Sequence, residues 1–162
     1  MTDFTNPLEI PSDILAMVYK EALQAFPAEC CGWLTGSSGG QAVNAVRPAD
    51  NDQASGGHPT ASDRTSESAY VFNSADLMAL NRSLDSDAPA LIIYHSHPNG
   101  RAYLSDTDRT VATSPWGDGP AYPVQQLVVG INADRVVESA LFGWDDDSGE
   151  FVELARYPGA QA

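Results

Sequence analysis

Residues Ala90–Tyr94 read ALIIY, five apolar residues in a row with no polar partner between them. Side chains in a strand alternate between its two faces. An unbroken apolar run of this length therefore predicts a central strand covered on both faces rather than one with a wet side. Such a strand needs packing layers above and below, and the order of helical and strand patterns around it reads as mixed α and β structure. The run ends abruptly in His95, Ser96, His97 and Pro98, so two of the three histidines sit at the end of the most buried element.

The flanking sequence supplies the layers. Leu8–Ile10 can pair as an edge strand. Ile14, Leu15, Val18, Ala22 and Phe26 recur at helical spacing and predict an amphipathic helix over Asp13–Phe26. Ser12 is its N-cap, Asp13 complements the positive helix end, and Pro27 stops it. Cys30–Leu34 reads as a short buried strand, Gly36–Gly40 as a turn and Ala42–Arg47 as the returning strand. Asp50–Glu67 has no hydrophobic period and reads as a long loop of functional or disordered character. Ala69–Phe72 reads as a strand. Ser74 caps a helix from Ala75 to about Asp85, with Leu77, Met78, Leu80 and Leu84 as its apolar face. Ser105 opens a third helix, which Thr113–Pro123 ends. Gln126–Ile131, Val136–Phe142 and Glu150–Leu154 read as three more strands, the last two joined through an acidic DDDSG turn. There is no internal repeat, and the 162 residues suit a single domain spanning 1–162.

Charge and composition narrow the function classes. Lys and Arg total 8 against 22 Asp and Glu, a formal charge of −14. Nucleic-acid backbones and anionic lipid surfaces repel such a chain. No apolar run approaches the roughly 20 residues of a membrane span. The first residues lack a basic and then apolar leader, so a cytoplasmic protein is expected. Cys30 and Cys31 are neighbours. They form no C-x-x-C pair and read as small buried strand residues.

His95 and His97, two apart on a strand, point to one side and can converge on one ion. A catalytic zinc takes three protein ligands and keeps one position open. Ser105-x-x-Asp108 follows after a short glycine-containing loop, and both side chains face one way at the start of a helix. Each feature has an ordinary reading too. S-x-x-D is close to a capping box, and two strand histidines can be simple hydrogen-bonded polar groups. Glu29 at a helix-to-strand junction could be a solvated carboxylate, or the group that takes a proton from an activated water and returns it to a leaving amine. Their conjunction favours the metal site. The patterns H-E-x-x-H and H-x-E with P-C-x-x-C are absent.

Glu29, then His95-Ser96-His97-Pro98, six further residues, and Ser105-x-x-Asp108 resemble the JAMM motif of the MPN-plus (Mov34/PAD-1-like) metalloproteases, in their small prokaryotic form. The stretch PAECCGWLTG at Pro27–Gly36 resembles the family's P-x-E-x-C-G-x-x-x-G. The resemblance spans roughly residues 8–142. It implies an α+β fold of the MPN/JAB type: a mixed, largely antiparallel curved sheet flanked by helices, with cytidine-deaminase-like layering. It implies zinc held by His95, His97 and Asp108, Glu29 as general base and then acid, and Ser105 as donor to the oxyanion. It implies hydrolysis of the peptide or isopeptide bond after the C-terminal glycine of a ubiquitin-like, β-grasp protein. Processing the C-terminus of a sulfur-carrier protein is the alternative, and a non-catalytic assembly scaffold is the alternative of another class. Trp116 and His58, in stretches expected to flank the cleft, are candidate substrate contacts; each has a bland reading as a packing tryptophan or a solvated loop histidine.

Overall fold

The computed structural model describes residues 5–50 and 74–161. The strand expected at Ala69–Phe72, and most of the polar loop with His58, lie outside the described residues. The elements are α1 (Ser12–Ala25), β1 (Cys31–Thr35), β2 (Ala45–Ala49), α2 (Ser74–Leu84), β3 (Ala90–His97), α3 (Asp106–Ala112), β4 (Gln125–Ile131), β5 (Arg135–Asp145) and β6 (Glu150–Gln161). The six strands form one sheet in the order β2-β1-β3-β4-β5-β6. Every pair is antiparallel except β3–β4. That parallel pair requires a crossover, and α3 lies within it.

β3 is central and covered on both faces, as its composition demands. Ile92 and Tyr94 join Leu127 and Val129 of β4 in one apolar cluster with Ile14, Val18, Tyr19 and Ala22 of α1. Ile93 faces the other way, with Trp33 and Leu80 of α2. Val128, Ala140 and Phe142 cluster with Ala112 of α3 and with Ala102 and Leu104 of the loop before it. The sheet thus carries α1 on one face and α2 and α3 on the other. Each fully buried Leu or Ile in these layers contributes roughly 1.5–3 kcal/mol. A Cβ on Gly32 would stand 2.5 Å from both the Tyr94 hydroxyl and the Arg47 carbonyl oxygen. This position therefore takes glycine so that β1 can lie over Tyr94.

The structure corrects several sequence expectations. Leu8–Ile10 forms no strand; only Glu9 makes an isolated bridge, to Ala42. Pro11 holds the N-cap position of α1 without a side-chain cap, and Ser12 is already helical. The apolar face assigned to α2 is largely wet. Leu80 is buried, while Leu77 is partly exposed and Met78 is 58% exposed. Asp76 is buried instead, because Arg47 pairs with it at 2.9 Å and the Asp50 amide donates to it at 2.9 Å. The strands β2 and β6 run on through Pro48 and Pro158, past the ends expected at Arg47 and Leu154. Both lie at the edges of the described sheet, where a missing ladder N–H is tolerated.

Glu21 of α1 accepts a hydrogen bond from the Tyr94 hydroxyl. Burial pushes the Glu21 carboxyl up, and hydrogen bonds from Tyr94 and Cys30 offset this only in part. The folded protein then binds more protons than the unfolded chain between the ordinary carboxylate range and the raised value. Stability contributed here is present below that range and falls as pH rises through the raised value. Glu21→Gln, which keeps an acceptor for Tyr94, is expected to flatten that fall. Thermal melts should show the variant with the higher Tm at pH 8 and little difference at pH 4.

Candidate metal centre

The strand β3 continues through His97, so His95 and His97 project from the same face of its end. Both are buried. The helix α3 brings the third group. Ser105 is its N-cap, the Asp108 amide donates to Ser105 Oγ at 3.1 Å, and the Ser105 amide donates to Asp108 Oδ2 at 3.0 Å. The capping box and the convergence on the histidines therefore coexist. Asp108 Oδ2 lies 3.1 Å from His95 Nε2 and 2.9 Å from His97 Nε2, and the two imidazole nitrogens are 3.1 Å apart.

Glu29 arrives from the other side. Antiparallel pairing puts Cys31 of β1 opposite His95 of β3. Just before β1, the Cys30 amide donates to Ser96 Oγ at 2.8 Å, and the Ser96 amide donates to the Cys30 carbonyl at 3.1 Å. Ser96, between the two histidines, thereby clasps the residue next to Glu29. Buried Glu29 is held so that one of its oxygens, a His95 ring nitrogen and a His97 ring nitrogen all lie within 4.8 Å of one another. The adjacency of β1, which Glu29 precedes, and the histidine strand, which pattern alone leaves open, is thus realised.

The donor set fits a metal ion. His97 Nδ1 is 3.2 Å from the Arg101 carbonyl oxygen. A carbonyl only accepts, so Nδ1 carries the ring proton and Nε2 offers a lone pair. That lone pair faces Asp108 Oδ2, another acceptor, an arrangement that a cation held between them would satisfy. Donors bound at 2.0–2.1 Å to a tetrahedral zinc stand about 3.3–3.4 Å apart. The observed triangle of His95, His97 and Asp108, with sides of 2.9–3.1 Å, is within a few tenths of that. Two triads are thus conceivable, one closed by Asp108 and one by Glu29. The tighter triangle is the one closed by Asp108, with Glu29 beside it.

The electrostatics agree. Burial works to raise the Asp108 carboxyl, but the two imidazoles outweigh it and hold the group well below the usual carboxylate range. Burial also disfavours a charged His95, yet Asp108 and Glu29 leave its ring above the ordinary imidazole value. His97, for which burial dominates, lies below it. Burial, then Glu21, push the Cys30 thiol up to about 12. Cys31 is raised too, chiefly by burial. Both thiols are protonated near neutrality and make poor nucleophiles or ligands.

Trp116 stands in the turn after α3 with 85% of its surface exposed, which excludes the packing role and leaves it outside the buried cluster. The ring of Tyr103 packs edge-on against His97 at 5.0 Å between centroids. Tyr103, Ser96 and the Arg101 carbonyl were not assigned to the site from sequence. Ser96 was the findable one, since it alternates with two candidate ligands on a strand whose neighbour carries Glu29.

Known proteins resemble this chain in sequence and in fold. A family model described as prokaryotic homologs of the JAB domain matches residues 11–139. The CysO-cysteine peptidases of Mycobacterium tuberculosis (strain ATCC 25618 / H37Rv) and Mycobacterium bovis are each 31% identical over 109 residues, which cover 67% of this chain and 67% of theirs. In fold, a solution structure of a protein from Desulfitobacterium hafniense is similar at a TM-score of 0.59 and 23% identity, covering 89% of this chain and 87% of that one. A JAB1/MPN domain protein from Archaeoglobus fulgidus is similar at a TM-score of 0.52 and 16% identity, covering 91% and 96%. With its JAMM residues gathered at one sheet end, this chain belongs to the prokaryotic JAB-domain family.

Proposed function

We propose that this protein is a cytoplasmic zinc peptidase that releases a C-terminal amino acid from a small β-grasp sulfur-carrier protein. The observation that carries the chemistry is the convergence of His95, His97 and Asp108 within 3.1 Å, with buried Glu29 beside them. The substrate class rests on the similarity to the CysO-cysteine peptidases. From sequence alone, removal of ubiquitin-like modifiers from lysine side chains came first; that similarity reverses the order. A non-catalytic scaffold does not require Glu29, His95, His97 and Asp108 to converge at one buried point.

Zinc held by His95, His97 and Asp108 would supply Lewis acidity and lower the pKa of a bound water to about 7. Glu29 takes the proton of the attacking water and hands it to the departing nitrogen. The Ser105 oxygen accepts from the Asp108 amide, so its own proton remains for the carbonyl oxygen of the scissile bond. The two roles left competing by the sequence thus use different parts of one hydroxyl. Loss of one such oxyanion donor costs on the order of 3 kcal/mol. Neither cysteine takes part. Exposed Trp116, and His58, which lies outside the described residues, are proposed as contacts for the substrate tail.

The test is a comparison of two substrates: a carrier protein bearing one extra C-terminal residue, and a modifier joined through its terminal glycine to a lysine side chain. Mass spectrometry should show the first losing that single residue. Cleavage of only the lysine conjugate would overturn the carrier assignment.

A further inference from the structure

His97, Gly130 and Glu138 stand in one register across β3, β4 and β5, and Pro158 of β6 continues the row. His97 and Glu138 flank a position with no side chain, and the loop from Gly100 to Ala102 lies in that gap. A Cβ on Gly130 would come within 2.7 Å of the Gly100 carbonyl carbon and of the Arg101 backbone. The loop is bonded on both sides. The Arg101 carbonyl accepts from His97 Nδ1 at 3.2 Å. The next residue, Ala102, donates its amide to Glu138 Oε2 at 3.0 Å and accepts at its carbonyl from Arg156 Nη2 at 3.1 Å. Arg156 Nη1 closes the ring on Glu138 Oε2 at 2.8 Å. Arg156 is steadied further by Glu153 at 2.6 Å.

From this geometry we infer that Glu138 and Arg156 are positioning residues for the metal site. They clamp the Ala102 peptide, which fixes the Arg101 carbonyl, which keeps the ring proton of His97 on Nδ1 and its Nε2 ready for the ion. The inference deepens the zinc reading, on which it rests for its consequence. Its structural core concerns the metal-free imidazole and stands apart from that reading. Glu138 and Arg156 are both part-exposed, at 35% and 41% of their side chains. An ion pair so exposed adds little to stability, so its removal should move the site far more than the melting temperature. Outer partners of metal-ligating histidines typically govern 10–100-fold in metal affinity.

The experiment uses the full chain, measuring the His97 tautomer by long-range proton–nitrogen NMR on metal-free protein, zinc affinity against a chromophoric chelator, and Tm. Wild type should hold the Nδ1–H tautomer. Arg156→Met and Glu138→Ala should shift His97 toward Nε2–H and weaken zinc binding by about tenfold or more, with Tm nearly unchanged. Gly130→Ala should shift the tautomer and weaken zinc binding in the same direction sterically, by lifting the loop, with a lower Tm as well. Glu138→Gln, which can still accept from the Ala102 amide, should restore most of the affinity lost in Glu138→Ala. Glu153→Ala, which touches only the outer partner, should leave tautomer and affinity in place. Variants that keep both the tautomer and the zinc affinity, or that lower only Tm, overturn the inference. A wild type that takes up no zinc while the tautomer still moves with the variants upholds the clamp and overturns the zinc-peptidase reading.

Discussion

Glu29→Gln is expected to keep its zinc and lose roughly 100- to 10,000-fold in kcat, the range a positioned general acid–base supplies. The substitution is isosteric, and the side chain is buried beside the histidines. Glutamine retains the shape and an acceptor oxygen but does not accept a proton from water or carry one to the leaving nitrogen. Zinc should remain because the 2.9–3.1 Å triangle of His95, His97 and Asp108 does not include Glu29. Metal content and turnover measured on the same preparation separate the two effects. A variant that loses zinc would make Glu29 a ligand, and one that still turns over would remove it as the base.

Asp108→Asn should show the opposite pattern, with zinc lost and the fold intact. Removing the carboxylate leaves two neutral imidazoles and an amide oxygen around the ion. Affinity should fall by more than the roughly 100-fold that loss of an outer partner can cost, and activity should fall with it. The helix should survive, because an asparagine oxygen can still accept from the Ser105 amide and the Asp108 position keeps its own amide bond to Ser105 Oγ. Equilibrium dialysis with zinc, alongside circular dichroism, distinguishes a lost ligand from a lost fold. Chelation of the wild type should abolish activity in the same way, and zinc should restore it.

Much of this site was legible because its chemistry is local. His95 and His97 are two apart on a strand whose apolar lead-in fixes its burial, and Ser105-x-x-Asp108 is at once a helix start and a ligand carrier. Glu29 was legible only as a member of the motif; its approach to the histidines depends on β1 pairing with β3, which no spacing states. The clamp was invisible for the same reason, since Glu138, Arg156 and Gly130 meet His97 only through strand register. The errors in the fold also have physical causes. The strands β2 and β6 run past the ends expected at Arg47 and Leu154, through prolines tolerated because both strands lie at sheet edges. On α2, Asp76 is buried against the spacing rule because a long-range arginine pairs with it, while Met78 faces water.

The most direct measurement is the anomalous-scattering density of crystals grown with zinc. The account predicts one strong peak bound to His95 Nε2, His97 Nε2 and an oxygen of Asp108, with the remaining position open toward Glu29 and occupied by no protein atom. A peak bound by Glu29 with Asp108 turned away would contradict it, as would the absence of any zinc between the histidines.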